Sequence, residues 1–266
     1  MDKQSCEILE NLLNKTASWS YGRPVAKIHI EPTKEATVAE SIVIEEDVRE
    51  ISVEKSVQKT KISMESIAEK AKDCTRCDLY KNRKNSVAGV GVENPLVLVI
   101  GEGPGQEEDK QGIPFVGPAG QLLDKMLAAI QLSRNINCYI VNVVKCRPPH
   151  NRDPFPPEME ACSSFLRAQI MYLKPKMILA VGRVAAQYLL NTPTGISRLH
   201  GQFFDYHQIQ GDGDGIPFMA TYHPSALLRD PTYKKPAWED LKQFKAKLLE
   251  IEPNYEQSFS RYVHGK

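Results

Sequence analysis

Three polar side chains, Glu102, Asn142 and His223, lie at or near the ends of apolar runs in this sequence. A carboxyl group can orient water or move a proton, an amide both accepts and donates hydrogen bonds, and an imidazole can donate to a developing oxyanion. The runs have the length of buried strands. Because the carboxyl ends of parallel strands meet at one edge of a sheet, we expect the three side chains to face one ligand site.

The glycine-rich segment around Glu102 lacks the spacing of a phosphate-binding loop. Gly101, Gly103 and Gly105 do not form G-x-G-x-x-G, and no Gly-Lys-Ser/Thr follows them. Small residues here, Gly103 among them, instead let the backbone pass close to a flat ligand while Glu102 handles water or a proton. The alternative is a tight turn with solvated carboxylates.

Asn142 and Phe115 have the chemistry to recognise a flat, hydrogen-bonding ring. Asn142 interrupts an apolar run, where an unpartnered amide would cost about 1–3 kcal/mol. Its acceptor and donor match a cyclic imide edge, which uracil presents and cytosine reverses. Phe115 can stack on such a base. Both residues also have a simpler interpretation, as a satisfied core amide and a core aromatic ring.

His223 stands between Tyr222 and Pro224, and Ser225 follows. Proline fixes the exit from the strand, and Ser225 can cap the next turn beside the same ligand. No G-x-S-x-G elbow surrounds Ser225, so it is not predicted to be a nucleophile. A structural histidine is the alternative to a donor at the site.

Four cysteines have the spacing of a metal site: Cys74 and Cys77 form C-x2-C, and Cys146 and Cys162 follow at a distance. The N-terminus lacks the pattern of a secretory signal, so a cytoplasmic protein with reduced thiols is expected. Zinc and a [4Fe–4S] cluster both suit four thiolates, and the spacing leaves the choice open. Cys138 begins an apolar strand and is predicted to be a small buried residue.

The order of the elements predicts an α/β fold, because strand-like runs alternate with helical patterns as in βαβ units. Ser63 is a candidate helix N-cap. The predicted strands are 95–100, 138–144, 176–181 and 216–221, and the predicted helices are 118–132, 156–173, 183–190 and 236–249.

Residues 1–60 are expected to form a variable extension with an amphipathic helix and a partly disordered acidic linker, and residues 251–266 a tail. No apolar run approaches the roughly 20 residues of a membrane span.

The net charge of the chain is +1, yet residues 61–250 hold 24 Lys and Arg against 20 Asp and Glu. Basic clusters there can bind phosphates or form a solvated face; they are Lys72, Arg76, Lys81, Arg83 and Lys84, and Lys145, Arg147 and Arg152.

Together these motifs resemble the family 4 uracil-DNA glycosylases, the iron-sulfur type. The resemblance covers about residues 63–250 and rests on Cys74-x2-Cys77, Gly101-Glu-Gly-Pro-Gly105, Pro114-Phe-Val-Gly117, Asn142-Val-Val-Lys-Cys-Arg-Pro-Pro149, Ile178-Leu-Ala-Val-Gly182 and Tyr222-His-Pro-Ser225. It implies a catalytic domain over residues 61–250, with an α/β/α sandwich around a four-stranded parallel sheet. It also implies a [4Fe–4S] cluster bound by Cys74, Cys77, Cys146 and Cys162.

The resemblance further implies a role for each matched residue. Glu102 would lie by the attacking water, and Asn151 near the reaction centre. Phe115 would stack on uracil, Asn142 would read its imide edge, and His223 would face the carbonyl where negative charge grows. Leu227 would be pushed into the DNA helix where the base has left. The expected substrate is uracil-containing DNA, single- or double-stranded.

The expected protein is a cytoplasmic, nucleoid-associated monomer without membrane contact. For residues 1–60 three alternatives stay open: recruitment of a replication or repair partner, self-association, or no role. Two differences between this chain and related families bear on the expected mechanism. Related enzymes that activate water with Asp have Gln-Asp-Pro-Tyr where this chain has Glu102, so strong activation of water is not implied. Another relative is trapped on DNA through a His in an Arg-rich insert. That insert is missing around His150, so turnover is expected.

Three other function classes stay open: a catalytically silent binder of uracil or single strands, an electron-transfer protein and a zinc module.

Overall fold

Helices alternate with strands along residues 63–207, 215–257 and 259, the part of the chain that the computed structural model describes. The α-helices are α1 (Met64–Lys72), α2 (Gln106–Gln111), α3 (Pro118–Ala128), α4 (Pro156–Leu173), α5 (Arg183–Leu190), α6 (Ile196–Leu199), α7 (Pro224–Arg229) and α8 (Lys234–Ile251). The strands are β1 (Val90–Gly91), β2 (Val97–Gly101), β3 (Cys138–Asn142), β4 (Met177–Val181), β5 (Phe203–Tyr206) and β6 (Ile216–Thr221). The features predicted within residues 1–60 lie outside the described residues.

The strands form one sheet in the order β1-β3-β2-β4-β6-β5. Strands β3, β2, β4 and β6 pair in parallel and correspond to the four predicted apolar runs. Two short antiparallel strands, β1 and β5, extend the sheet at its edges. The predicted four-stranded parallel sheet is therefore the centre of a six-stranded mixed sheet, and the α/β class is confirmed.

Helices cover both faces of this sheet. Alternate residues of a strand point to opposite faces, and in β2 this sends Leu98 to one buried cluster and Val99 to another. The first cluster includes apolar residues of α1, α4 and α5, and the second those of α3, α7 and α8. The three-layer arrangement thus follows from strands that are apolar on both sides.

The helix starts agree with the capping signals in the sequence. The Ser63 side chain accepts a hydrogen bond from the backbone of Ser66, as predicted for an N-cap. Proline occupies the first helical position of α3, α4 and α7, where its missing N–H costs nothing. Helix α4 begins and ends at the predicted residues, while α3 begins at the predicted Pro118 and stops at Ala128 rather than 132.

The fold continues past residue 250, the boundary predicted for the C-terminal tail. Helix α8 ends at Ile251, and the buried Tyr255 donates a hydrogen bond from its hydroxyl to the carbonyl of Ile130 at 2.9 Å. Among the described residues, every helix is too short or too polar to cross a membrane.

Candidate functional site

A cavity of about 570 Å³ opens at the carboxyl ends of the parallel strands. That volume suits a small-molecule or nucleobase site. The cavity brings together seven of the predicted site residues: Glu102, Gly103, Phe115, Asn142, Asn151, His223 and Ser225. These residues come from three strand ends and the loops that follow them, as the sheet topology requires.

Asn142 ends β3 and is only 1% exposed, yet its Oδ1 atom has no hydrogen-bond partner among the described residues. Gly101 pairs with it across the sheet, and a Cβ at Gly101 would lie 2.5 Å from this oxygen and 2.6 Å from the ring of Phe115. Only glycine at position 101 therefore lets the amide and the ring share the cavity wall. A buried, unsatisfied acceptor costs about 1–3 kcal/mol unless a ligand supplies a donor.

The backbone of Phe115 is held in the left-handed region, with φ of 54°. Arg134 donates to the carbonyls of Pro114 and Phe115 at 2.8 and 2.9 Å, and a Glu108 carboxylate oxygen accepts from the backbone N–H groups of Val116 and Gly117. This unusual conformation persists because its surroundings fix it on both sides. The Phe115 ring lies 5.7 Å from that of His223, centre to centre.

His223 is the N-cap of α7. Its Nδ1 accepts a hydrogen bond from the backbone N–H of Ser225 at 3.2 Å and lies 2.8 Å from the Ser225 hydroxyl. Burial, with a smaller contribution from the nearby Arg229 charge, lowers the pKa of His223 to about 4. The imidazole is therefore neutral at pH 7 with its proton on Nε2, the form that donates a hydrogen bond without carrying a charge.

Glu102 shares the cavity with Asp153, which forms an ion pair with Arg183. Burial first, and then the charge and hydrogen bonding of Asp153, raise the pKa of Glu102 to about 7. Arg183 opposes this shift only in part. Glu102 thus takes up or releases a proton near neutral pH, which suits a group that positions water.

Asn151 lies in a 3-10 turn, Pro149–Asn151, in which both His150 and Asn151 have φ near 55°. The Oδ1 of Asn151 accepts a hydrogen bond from Arg147 at 2.7 Å. The turn directs this amide to the rim of the cavity, close to the segment that bears Asp153.

Leu227, which was predicted to enter the DNA helix, does not line the cavity. It is 3% exposed and belongs to the buried cluster that also holds apolar residues of the sheet, α3 and α8, whereas the next residue, Leu228, is 49% exposed. The reason is helical phase: Leu227 lies three residues after Pro224 on the inward face of α7.

The cysteines Cys74, Cys77, Cys146 and Cys162 all line a second, small cavity and form no disulfides. Hydrogen-bond donors surround their sulfurs: Arg76 Nε lies 3.4 Å from Cys74 Sγ, and Arg83 Nη1 lies 3.0 Å from Cys146 Sγ. Cys138 is buried in β3, as predicted, and takes no part in this group.

Four cysteine thiolates can bind either a zinc ion or an iron-sulfur cluster. Within the described ranges, no three or more His, Cys, Asp or Glu side chains could hold a single metal ion. In a [4Fe–4S] cluster each thiolate binds a different iron, so its four cysteines stand farther apart than those around one zinc ion. Four sulfurs line one cavity, and N–H donors are directed at three of them, so these residues fit a thiolate-bound group such as a [4Fe–4S] cluster.

Lys145 lies in a different environment from the one that the sequence predicted. It was predicted to belong to a basic surface cluster, but it is 1% exposed, because its side chain packs beside the cysteine cavity. The cations that do reach the cavity rim are Arg152, Arg183 and Arg229. Arg152 forms a two-point contact with Glu158 and lies 3.7 Å above the ring of the exposed Phe155.

Asp153 and Arg183 are cavity residues to which the sequence alone assigned no role. Arg183 follows β4, so its position at a strand end was a usable signal. Asp153 was not identifiable, since only the turn at His150 and Asn151 brings it next to Glu102.

Comparisons with known proteins give a consistent result. A family model described as "Uracil DNA glycosylase superfamily" matches residues 88–242. The chain is 41% identical over 185 residues to the "Type-4 uracil-DNA glycosylase" of Archaeoglobus fulgidus. The aligned region covers 68% of this chain and 91% of that protein.

Two further relatives extend the comparison. The "Type-4 uracil-DNA glycosylase" of Thermotoga maritima is 43% identical over 63% of this chain and 84% of its own length. The "Type-5 uracil-DNA glycosylase" of Pyrobaculum aerophilum is 31% identical over 50% of this chain and 63% of its own.

Proposed function

The chain belongs to the uracil-DNA glycosylase superfamily, and on this premise we propose that it hydrolyses the N-glycosidic bond of deoxyuridine in DNA. The products are free uracil and an abasic site, so the reaction would begin the repair of deaminated cytosine. A base inside a duplex cannot reach the cavity, so the nucleotide must first be extruded, at a cost of a few kcal/mol. That cost is lowest for uracil mispaired with guanine.

The unpartnered Oδ1 of Asn142 is the observation that carries this proposal. A uracil ring against Phe115 would give this oxygen its N3–H, and the side-chain amide would donate to the adjacent carbonyl. Cytosine has no N–H at N3 and would leave the same oxygen unsatisfied. Uracil thus satisfies an acceptor that no described residue satisfies, and cytosine does not.

The leaving group is stabilised from the side of His223. As the C1′–N1 bond lengthens, the sugar becomes oxocarbenium-like and the base gains negative charge. The neutral imidazole, held with its proton on Nε2, donates to a uracil carbonyl, and the Asn142 amide donates to the other. Each well-placed donor in a dry cavity is worth about 3 kcal/mol in the transition state.

Water then captures C1′ from the side of Glu102. In this proposal Glu102 and the Asn151 amide orient the water, and Asp153 with Arg183 sets the charge around them. Lys and Arg side chains on the face that bears the cysteines contact DNA phosphates.

We assign Cys74, Cys77, Cys146 and Cys162 as ligands of a [4Fe–4S] cluster. When bound, the cluster would supply four iron–thiolate bonds that cross-link the segments bearing these cysteines, and no redox step. Cys146 follows Asn142 by only four residues, so these bonds would stabilise the loop beside the recognition site.

The direct test is incubation of the purified protein with a labelled oligonucleotide carrying one dU, followed by alkaline strand scission and chromatography of the released base. Scission at the dU position with free uracil is expected, and oligonucleotides carrying dC or dT at that position are expected to stay intact. Intact dU strands after prolonged incubation with iron-loaded protein would contradict the proposed function.

The metal has its own test. Purified protein is expected to be brown, with about four iron and four sulfide per chain. A colourless protein that holds zinc would overturn the cluster assignment while leaving the glycosylase assay to decide the activity.

Glu102→Gln is expected to lower kcat about tenfold at pH 8, a smaller loss than general acid–base groups usually give, because the amide still orients water. Since the pKa of Glu102 is about 7, wild-type kcat should rise with pH through this value, while the variant stays flat. His223 does not titrate in this range. A wild-type profile that is flat from pH 5.5 to 8.5 would exclude this role.

Glu102→Gln is also expected to change the thermal stability of the protein. The folded-state pKa of about 7 exceeds the ordinary value of 4.5, so the stabilisation from protonated Glu102 is complete below pH 4.5 and is lost as pH rises through 7. Glu102→Gln should therefore have a higher Tm than wild type at pH 8 and a similar one at pH 5. Thermal unfolding at both pH values checks this expectation.

We propose Leu228 as the side chain that enters the DNA helix. Leu228→Ala should leave unfolding free energy within about 0.5 kcal/mol of wild type and slow excision from duplex DNA more than from single strands. Leu227→Ala should instead cost about 2–5 kcal/mol of stability. Equal slowing on both substrates by Leu228→Ala would remove this role from Leu228.

A further inference from the structure

Lys145 is one of the largest fully buried side chains among the described residues. Lysine is almost never buried to this extent unless its charge is paired. None of the ion pairs found in the described ranges joins Lys145 to a carboxylate. Its position therefore requires other partners, and two kinds are present.

The first partner is the end of β3. The Nζ atom of Lys145 donates a hydrogen bond of 2.6 Å to the backbone carbonyl of Asn142. Asn142 is the last residue of that strand and has the unsatisfied Oδ1 in the base cavity. The ammonium group thus fixes the backbone from which the recognition amide projects.

The second partner is the cysteine group. The backbone N–H of Lys145 donates to Cys162 Sγ at 3.3 Å, and the residue lines the cysteine cavity just before Cys146. When these sulfurs bind metal as thiolates, they supply the negative charge that a buried ammonium needs.

We infer that Lys145 is a positioning residue that couples the four-cysteine site to base recognition by Asn142. Its ammonium is held by the charge of the ligated sulfurs on one side and holds the Asn142 carbonyl on the other. The inference deepens the proposed function and rests on it for the identity of the base. It predicts that one substitution alters both the cluster and uracil recognition.

Lys145→Met is the test, because methionine is unbranched, of similar length and uncharged. Iron-loaded wild type and variant are compared in two measurements: inhibition by free uracil, and the midpoint potential of the cluster by protein-film voltammetry. Lys125→Met, an exposed lysine of α3 that lies away from both cavities, is the matched control.

In Lys145→Met we expect the inhibition constant for uracil and the KM for dU DNA to rise about tenfold, as for loss of a charged hydrogen bond. We expect kcat to change less. It also expects a lower midpoint potential, because removal of a nearby positive charge disfavours reduction. Lys125→Met should match wild type in both. Wild-type values in Lys145→Met, or a change in only one of the two measurements, would overturn the coupling.

Two further experiments apply if Lys145→Met does not fold or if the protein has no glycosylase activity. If Lys145→Met is insoluble, Lys145→Gln replaces it: Gln retains an N–H donor but no charge, so its potential should fall while uracil inhibition weakens less than tenfold. If wild type leaves dU DNA intact, the proposed function fails. The potential and the side-chain amide NMR signals of Asn142 then still test whether Lys145 connects the two sites.

Discussion

His223→Ala is expected to lower kcat on dU DNA by about 10²–10³-fold, the loss found when one donor to a developing anion is removed. The reason lies in the fixed tautomer: Ser225 N–H occupies Nδ1, so the ring proton is on Nε2. KM should change little, because the hydrogen bond strengthens only as the base leaves. Single-turnover kinetics with single-stranded DNA, in which base extrusion is cheapest, measures the chemical step.

Two controls separate this role from a structural one. Ser225→Ala removes the hydroxyl but keeps the backbone N–H on Nδ1, so its loss should be much smaller than that of His223→Ala. His207→Ala removes an exposed histidine at the end of β5 and should act as wild type. Retention of kcat within a few-fold by a folded His223→Ala protein would exclude His223 as the donor.

Asn142→Ala should abolish recognition of uracil, with a loss of about 10²-fold or more in kcat/KM, because the transition state loses both an acceptor and a donor. Stability should move in the opposite direction. The substitution removes a buried oxygen that has no partner among the described residues, so Tm should stay equal or rise. Such opposed effects indicate a side chain retained for binding rather than for folding.

Asn137→Ala is the matched control for this prediction. Asn137 is also buried, but its Oδ1 accepts from Ser133 N–H at 2.9 Å and its Nδ2 donates to the Gln131 carbonyl at 3.0 Å. It should therefore lose stability and keep its activity. If Asn142→Ala behaves in the same way as Asn137→Ala, then Asn142 is a core amide and not the reader of the base.

Most of the site was predictable because strand ends are readable from a sequence. Apolar runs bounded by polar residues locate the four parallel strands, and the topology rule then brings Glu102, Asn142 and His223 together. Helix α4 was predicted to the residue because Pro156 marks its start. The edge strands β1 and β5 were not predicted, since two and four residues give little periodicity.

The remaining differences depend on tertiary packing. Lysine is usually an exposed residue, and nothing local distinguishes Lys145 from Arg147; its burial arises from the cysteine cavity that residues distant in sequence form around it. Leu227 and Leu228 are likewise equivalent as types. Their separation follows from the phase of α7, which begins at Pro224 and turns Leu227 toward the core.

The twelve residues from Asn142 to Asp153 contain, in order, the proposed base reader Asn142, the buried Lys145, the proposed cluster ligand Cys146, the Asn151 amide proposed to orient water, and Asp153. Insertion or deletion of a single residue here would displace several of them at once. Evolution or engineering of a new substrate range would therefore proceed by point substitution at the cavity wall. Length variation would be confined to connections elsewhere, such as the one between β5 and β6.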